Sequence, residues 1–165
     1  MDSITFQLAK YGNETEAIVL FNTVMRDKMN FFTDIYPYDE NQLQTFIGDN
    51  MINEVTIFAY SDQKMIGWVT VVRKFLKYQF HVGTLLIGIL SEYRSKGIGT
   101  SLLNYEEELL PKIKIEKIEA IVREKSVIAI NFFQKMGYLI EGNINKSLKL
   151  NPFEYDNEII LGKYL

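Results

Sequence analysis

The spacing of apolar residues predicts a strand and then a helix at the start of the chain. The segment from Ile4 to Ala9 alternates between apolar and polar residues, as a half-buried strand does. Asn13 then offers an N-cap, and Glu16 follows three residues later, as in a capping box. The helix after it carries its apolar residues at helical spacing, at Ile18, Phe21, Val24 and Met25.

A second helix and three strands are predicted to follow. A ring-rich connection from Asn30 to Tyr38 precedes a second helical pattern that runs from Asp39 to Ile47. The apolar runs after it are rich in β-branched and aromatic residues and bounded by turn residues, which is typical of strands. These runs are Val55 to Tyr60, Ile66 to Arg73 and His81 to Leu90.

A glycine turn at residues 94–99 ends the third strand and opens a third predicted helix. The acidic run from Glu106 to Glu108 lies largely off the apolar stripe of this helix, and the pattern stops at Pro111. The stripe consists of Ile98, Leu102, Tyr105 and Leu109.

A short buried strand from Ile118 to Val122 leads to a fourth predicted helix. Ser126 is placed to cap this helix, and Gly137 to close it as the residue after the C-cap. Its apolar face is formed by Ala129, Phe132, Phe133 and Met136. Further strand material lies at Tyr138 to Glu141, Ser147 to Leu150 and Glu158 to Tyr164. The strand–helix–strand crossover in the middle predicts a parallel strand pair inside a mixed sheet.

The amino-acid composition excludes several kinds of catalytic and binding site. The chain has 165 residues, the size of one domain, and we expect a single domain over residues 1–165. It has no cysteine and one histidine, His81, which excludes disulfides, a cysteine acyl-enzyme and a multi-histidine metal site. We therefore expect no metal.

Charge and hydropathy bear on partners and location. A formal net charge of −3 argues against a nucleic-acid partner, which usually needs a basic face. No apolar run is long enough to span a bilayer, and the N-terminal residues lack the pattern of a signal peptide. The prediction is a cytoplasmic protein without a membrane partner.

The segment Arg94-Ser95-Lys96-Gly97-Ile98-Gly99 carries the most chemistry. The start of a helix has four backbone N–H groups without internal partners, and its dipole favours an anion. Glycines let a pyrophosphate approach the backbone without a Cβ in the way. The sequence has no P-loop, and the third glycine of the dinucleotide fingerprint is missing.

Two motifs stand out in the second half of the chain. Residues 91–99 read Ser-Glu-Tyr-Arg-Ser-Lys-Gly-Ile-Gly, and residues 129–138 read Ala-Ile-Asn-Phe-Phe-Gln-Lys-Met-Gly-Tyr. The first matches motif A of the GNAT N-acetyltransferase superfamily, in which Gln or Arg precedes a glycine turn after a strand, and the second is similar to that superfamily's second signature. The resemblance implies an α/β (α+β mixed) fold. Its central mixed, largely antiparallel twisted sheet would have six to seven strands and about four flanking helices, with a parallel, splayed strand pair around the glycine turn.

The resemblance also implies acetyl-CoA as the donor and direct transfer of its acetyl group to an amine. The pyrophosphate would lie on the glycine turn, and the pantetheine arm would pair with the backbone of the preceding strand. The fourth helix would add contacts to the arm and place the ring of Phe133 beside the sulfur. The implied donor-binding residues are Ile87, Gly88, Ile89, Arg94, Ser95, Lys96, Gly97, Ile98, Gly99, Thr100, Ser126, Asn131 and Phe133.

The chain departs from the family at positions that carry acid–base chemistry. Phe133 stands where relatives often have a Tyr that protonates the leaving thiolate, and Ser126 stands where many have Asn. Many relatives place a carboxylate base on the central strand, where this chain has Thr84.

The catalytic base therefore stays open. The alternatives are a water chain, Asp34, Glu54 or Glu141. His81 lies about 26 Å from the far end of its strand, and we expect it to be structural.

The acceptor that we expect is a small-molecule amine, such as a polyamine or an amino acid derivative. Acidic and aromatic residues between Asn30 and Tyr38 would suit a cationic amine. A protein N-terminus, as for ribosomal-protein-type acetyltransferases, and a CoA-binding module without turnover are the alternatives. The sequence leaves open whether the chain is a monomer or a homodimer.

Overall fold

The computed structural model describes residues 3–26 and 53–165. Its strands are β1 (Ile4–Leu8), β2 (Glu54–Ser61), β3 (Lys64–Arg73), β4 (Val82–Ile89), β5 (Lys117–Arg123), β6 (Leu139–Asn151) and β7 (Glu154–Tyr164). Its α-helices are α1 (Glu14–Met25), α2 (Ile98–Glu107) and α3 (Val127–Lys135), and short 3₁₀ turns lie at Lys77–Gln79, Ser91–Tyr93 and Leu110–Ile113. The predicted second helix and the ring-rich connection before it lie outside the described residues.

The described strands form one sheet in the order β1-β2-β3-β4-β5-β7-β6. Neighbours are antiparallel except β4 and β5, which are parallel and joined through α2. This confirms the predicted mixed, largely antiparallel sheet and its central crossover. No helix within the described ranges combines the length and apolarity needed to cross a membrane.

Helices cover both faces of the centre of the sheet. On one face, the ring of Phe21 in α1 lies 4.1 Å, between centroids, from that of Trp68 in β3. On the other face, the first turn of α2 lies against Ile89 of β4. All eight residues of β2 are buried as a result. We call these surfaces the α1 face, which carries Trp68, Thr70 and Gly88, and the α2 face, which carries Val69 and Ile89.

The start of α1 differs from the predicted capping box. Asn13 occupies the N-cap position but makes no side-chain capping hydrogen bond, and its Oδ1 accepts from the N–H of Lys10 at 2.9 Å. Glu16 accepts from the N–H of Met65 on β3 at 2.8 Å. The carboxylate therefore ties the helix to the sheet and does not cap its own helix, a tertiary contact that local spacing cannot show.

The buried face of α2 is also rotated from the prediction. Glu106 is 0 % exposed, although the acidic run was expected off the stripe, and Tyr105 is 38 % exposed. Because the helix ends at Glu107, Leu109 does not extend the stripe. The buried residues of this helix are Ile98, Leu102, Leu103 and Glu106.

The C-terminal strands are longer than the apolar runs suggested. The runs at residues 138–141 and 147–150 fall almost entirely within β6, whose pairing with β7 runs from Leu139 to Asn151 with interruptions. Its register shifts between Ile140 and Gly142 and again between Ile144 and Leu148. These irregularities interrupt the two-residue alternation of side chains along the strand. The sequence pattern therefore predicted two separate strands where the structure has one.

Candidate active site

β4 and β5 pair over only part of their length. Their parallel register runs from Val82 opposite Lys117 to Leu85 opposite Ala120. Beyond this point β5 continues against β7. Among the described strands, none pairs with the β5-facing edge of β4 along residues 86–89. This is the expected splayed pair, and the open backbone edge can accept an extended ligand as a further strand does.

α2 begins beside this opening without a cap. Gly97 occupies the N-cap position and provides no side-chain hydrogen bond. Within residues 3–26 and 53–165, no group accepts a hydrogen bond from the N–H of Ile98, Gly99 or Thr100. These three donors and the helix dipole together form a site for an anion such as a phosphate.

The two glycines of the turn differ in what a side chain at each position would meet. Gly97 has φ 79°, in the left-handed region that favours glycine, and a Cβ there would meet nothing within 4 Å. A Cβ on Gly99 would lie 3.7 Å from the ring of Phe132 and 3.9 Å from Cγ1 of Ile89, which are ordinary contacts. The protein's own packing therefore does not demand glycine at Gly99.

Cationic side chains surround the turn. The Nε of Arg94 donates to the carbonyl oxygen of Ile89 at 2.8 Å and so ties the turn to the end of β4. The Nζ atoms of Lys64 and Lys96 lie 5.4 Å and 5.2 Å from the centroid of the Tyr93 ring. Lys64 also pairs with the carboxylate of Glu92 at 3.5 Å, so Arg94 and Lys96 supply the positive charge that adds to the attraction of the uncapped helix for an anion.

The predicted donor contacts on α3 are spread over different environments. Ser126 occupies the N-cap position and is buried, but its side chain makes no capping hydrogen bond, against the prediction. Asn131 is exposed. Phe133 is 4 % exposed, with its ring centroid 5.2 Å from that of Phe132 and 5.1 Å from that of Tyr138. The ring that lies beside Gly99 is that of Phe132, which the sequence placed only on the apolar face of the helix.

An ion-pair cluster occupies the α1 face where β4 and β5 are still paired. Glu119, opposite Thr84, binds Lys74 and Lys117, and Lys117 also binds Glu141 at 2.6 Å. Burial raises the pKa of Glu119, but the hydrogen bonds from the two lysines outweigh burial and hold that pKa below its ordinary value. A carboxylate held in this way is a weak base.

The remaining candidates for the base lie in different regions. His81 precedes β4, at the end opposite Ile89, where its carbonyl oxygen accepts from the N–H of Glu116 at 2.8 Å. Asp34 lies outside the described residues. Glu54 begins β2, is 9 % exposed, and accepts a hydrogen bond from Thr56 at 3.1 Å.

Comparison with known proteins identifies the family. The sequence profile of the Acetyltransferase (GNAT) family matches residues 21–138, and the chain belongs to this family. No curated protein sequence matches it. The protein is an acyltransferase of a family that uses acetyl-CoA as its acyl donor. The uncapped turn and the open edge of β4 fit this donor, and no group of three metal-ligating side chains occurs among the described residues.

Solved structures share the fold over nearly the whole chain. A GNAT-family acetyltransferase from Streptococcus pneumoniae is 20 % identical, with a TM-score of 0.86 over 99 % of this chain and 100 % of that one. A putative acetyltransferase from Salmonella typhimurium, solved with its cofactor acetyl-CoA, is 9 % identical, with a TM-score of 0.87 over 99 % of this chain and 94 % of that one. A ribosomal-protein-alanine N-acetyltransferase from Brucella melitensis is 15 % identical, with a TM-score of 0.86 over 98 % of this chain and 99 % of that one. At these identities the similarity establishes the fold alone.

Proposed function

We propose that the protein transfers an acetyl group from acetyl-CoA directly to the primary amine of a small molecule, such as a polyamine or an amino acid derivative. The observation that carries the proposal is the uncapped N-terminus of α2 beside the unpaired edge of β4. The backbone of residues 95–100 would hold the pyrophosphate, with Arg94 and Lys96 adding positive charge. The pantetheine arm would lie along residues 87–89, with Ser126, Asn131 and Phe133 contributing from α3.

Direct transfer is supported by the nucleophiles that the chain lacks. It contains no cysteine, and its only histidine lies at the end of β4 away from the opening. Mass spectrometry after incubation with acetyl-CoA alone should show unmodified protein. A stoichiometric acyl adduct that forms and decays as fast as turnover would contradict direct transfer.

The acceptor class is supported by charge. The net charge of −3, and the acidic and aromatic residues between Asn30 and Tyr38, suit a cationic amine. The likeness to the Brucella enzyme favours a protein N-terminus as the second candidate.

The test measures CoA thiol release against a panel of spermidine, free amino acids and a peptide with a free alanine N-terminus. We expect saturable turnover with a small amine. Turnover with the peptide alone would establish the second candidate, and acetyl-CoA binding without any turnover would make the chain a binding module.

A further inference from the structure

The α1 face is closed on one side of the opening between β4 and β5 and accessible on the other. On the β4 side, the indole of Trp68 is 0 % exposed and fills the space over Gly88. On the β5 side, Ile121 is 39 % exposed, and Ile144 on β6 is 38 % exposed. A molecule that approaches the opening along the α1 face therefore has β5, β7 and β6 as its route.

We call the accessible area on these three strands the open face, and strand register defines it. Ile121 follows Glu119 of the ion-pair cluster by two residues, which places it on the α1 face. It stands opposite Ile160 on β7, and Ile144 stands opposite Glu158 on the same strand. Because Glu158 and Ile160 are two residues apart, their side chains share this face. The open face thus consists of three isoleucines and one carboxylate.

Glu158 gives the open face an unbalanced negative charge. Within residues 3–26 and 53–165, no group forms an ion pair or a hydrogen bond with its half-buried carboxylate. Arg123, its neighbour across β5, binds Asp156 at 2.6 Å. The lysines of the ion-pair cluster bind the carboxylates of that cluster. A cationic ligand is therefore the complement of the open face.

Register places Glu158 about one strand beyond the opening. The last parallel pair is Leu85 opposite Ala120, so Ile121 is the first residue of β5 that borders the opening. Arg123 borders it two residues further along and stands opposite Glu158. One strand spacing from β7 to β5, and a similar step into the opening, put Glu158 about 10 Å from an acyl group that lies there.

The two faces of the sheet divide the substrates between them. The turn that would hold the phosphates lies on the α2 face, against Ile89. An acceptor that meets the thioester in the opening therefore comes from the α1 face, where the side of Gly88 is filled by Trp68. The open face, with Glu158 on it, is the surface that this acceptor crosses.

A second ammonium group on the acceptor fits the position of Glu158. Five single bonds of about 1.5 Å each hold the nitrogens of extended 1,4-diaminobutane about 6 Å apart. A charged hydrogen bond from an ammonium to a carboxylate adds about 2.8 Å. Together these lengths come close to the distance from the opening to Glu158. The isoleucines of the open face offer apolar surface to the methylene groups between the two nitrogens.

We propose that Glu158 binds a second ammonium group of the acceptor and so selects a diamine or polyamine, an inference that rests on the proposed function. One amine reaches the thioester in the opening while the other pairs with the carboxylate. Glu158 then determines specificity through a contact remote from the reacting nitrogen. An acceptor that carries a carboxylate in place of the second ammonium is repelled.

Wild-type protein tests this selection with three acceptors of matched chain length. These are 1,4-diaminobutane, butylamine and 4-aminobutanoate, assayed by CoA thiol release with acetyl-CoA. We expect kcat/KM to be at least about tenfold higher for the diamine than for butylamine, as for one charged hydrogen bond, chiefly through KM. The value for 4-aminobutanoate should be lower still.

Two substitutions test the contact itself. Glu158→Gln keeps the shape and removes the charge, so kcat/KM for the diamine should fall at least about tenfold while that for butylamine stays within about twofold. Glu158→Lys should reverse the preference, so that 4-aminobutanoate becomes a better acceptor than the diamine. Acetyl-CoA affinity by calorimetry should be unchanged in both variants.

Glu154→Gln is the matched control. Glu154 lies four residues away on β7, is exposed, and loses the same charge when substituted. All three acceptors should stay within about twofold of wild type in this variant, which separates a contact at Glu158 from the effect of net charge.

Equal kcat/KM for the diamine and butylamine in wild-type protein would overturn the inference and leave the proposed function standing. A Glu158→Gln protein that keeps the wild-type preference would overturn it as well. If neither Glu158 variant folds, the wild-type comparison decides. A dimer in sedimentation that Ile144→Lys dissociates would show that a second copy covers the open face, which also overturns the inference. If no amine is acetylated, the proposed function fails and the inference fails with it.

Discussion

Trp68 and Gly88 stand opposite each other on β3 and β4, and the indole of Trp68 fills the space that a side chain at Gly88 would need. Trp68 is 0 % exposed and packs on Phe21 of α1. The resemblance assigns Gly88 to the donor strand through its backbone. The structure gives the same glycine a packing role on the α1 face, so the core and the proposed donor site meet at one residue.

Replacing Gly88 with alanine should therefore destabilise the protein. A Cβ at this position collides with the indole, and overpacking of this kind costs about 1–3 kcal/mol. Thermal unfolding measures the loss, and a red shift in the fluorescence of Trp68, the sole tryptophan, reports its displacement. Gly142→Ala is the matched control, because its Cβ would meet only Cδ1 of Ile160 at 3.9 Å. Equal stability of the two variants would contradict the packing role.

The backbone of the turn provides a second prediction. Gly97→Ala places a side chain at φ 79° and should lower the free energy of unfolding by about 1 kcal/mol. Ser95 already adopts φ 59°, so Ser95→Gly relieves strain while adding unfolded-state entropy. We expect that variant to stay within about 0.5 kcal/mol of wild type. Chemical denaturation measures both, and a Gly97→Ala protein as stable as wild type would show that the turn does not hold this conformation.

Glu106 should make the protein less stable as pH rises. Burial, followed by the charge of Glu107, raises its pKa well above the ordinary value, and the backbone of Val71 opposes this only in part. The folded state therefore keeps a proton that the unfolded state loses above its pKa of about 4.3. Between these two pKa values, stability falls by up to about 1.4 kcal/mol per pH unit.

Glu106→Gln replaces the titrating carboxyl with a neutral amide. The fall in the free energy of unfolding with rising pH should therefore become shallower, and the variant should be more stable than wild type at pH 7. Denaturation between pH 5 and pH 8 measures the slope, with the exposed Glu108→Gln as control. An unchanged slope in Glu106→Gln would mean that the carboxyl is ionised in the fold.

Asp156 should have the opposite pH dependence. Burial raises its pKa, but hydrogen bonds from Arg123, at 2.9 Å and 2.6 Å, and from the Asn157 N–H outweigh burial and lower it. The stabilisation of the fold by ionised Asp156 is fully present above the pKa of about 3.9 that the group has in the unfolded chain. It is lost as pH falls through the lower pKa that Asp156 has in the fold.

Breaking this pair, which joins β5 to β7, should be costly. Arg123→Ala leaves a buried carboxylate without its main partner and should cost about 3 kcal/mol at pH 7, and less under acid conditions. Glu154→Gln in the exposed pair with Lys125 is the control and should cost almost nothing. Similar losses for the two variants would refute the assignment.

The sequence predicted features that depend on local spacing and missed those that depend on register. The glycine turn and the helix after it are encoded within a few residues, and the structure has them in place. The contact of Glu16 with Met65 and the hydrogen bond between the hydroxyls of Thr56 and Thr70 join residues that no local period connects.

Helix rotation is a second limit of pattern reading. Adjacent rings at residues 132 and 133 share the apolar face of α3, and spacing alone could not tell which one lies beside Gly99. The donor contacts of Asn131, Ser126 and Phe133 stay predictions, as does the helix from Asp39 to Ile47.

The most direct test of the central claim, that acetyl-CoA phosphates lie on the first turn of α2, is the affinity of Gly99 variants for acetyl-CoA by calorimetry. A Cβ at Gly99 fits the protein, and alanine suits a helix better than glycine, so the stability of Gly99→Ala should not fall. If the phosphates bind the N–H groups of residues 98–100, they come close to residue 99, and we expect added side-chain atoms there to weaken binding. We predict at least about a tenfold loss of affinity for Gly99→Ala, as for one charged hydrogen bond, and a larger loss for Gly99→Val. Wild-type affinity in a folded Gly99→Val protein would contradict the account.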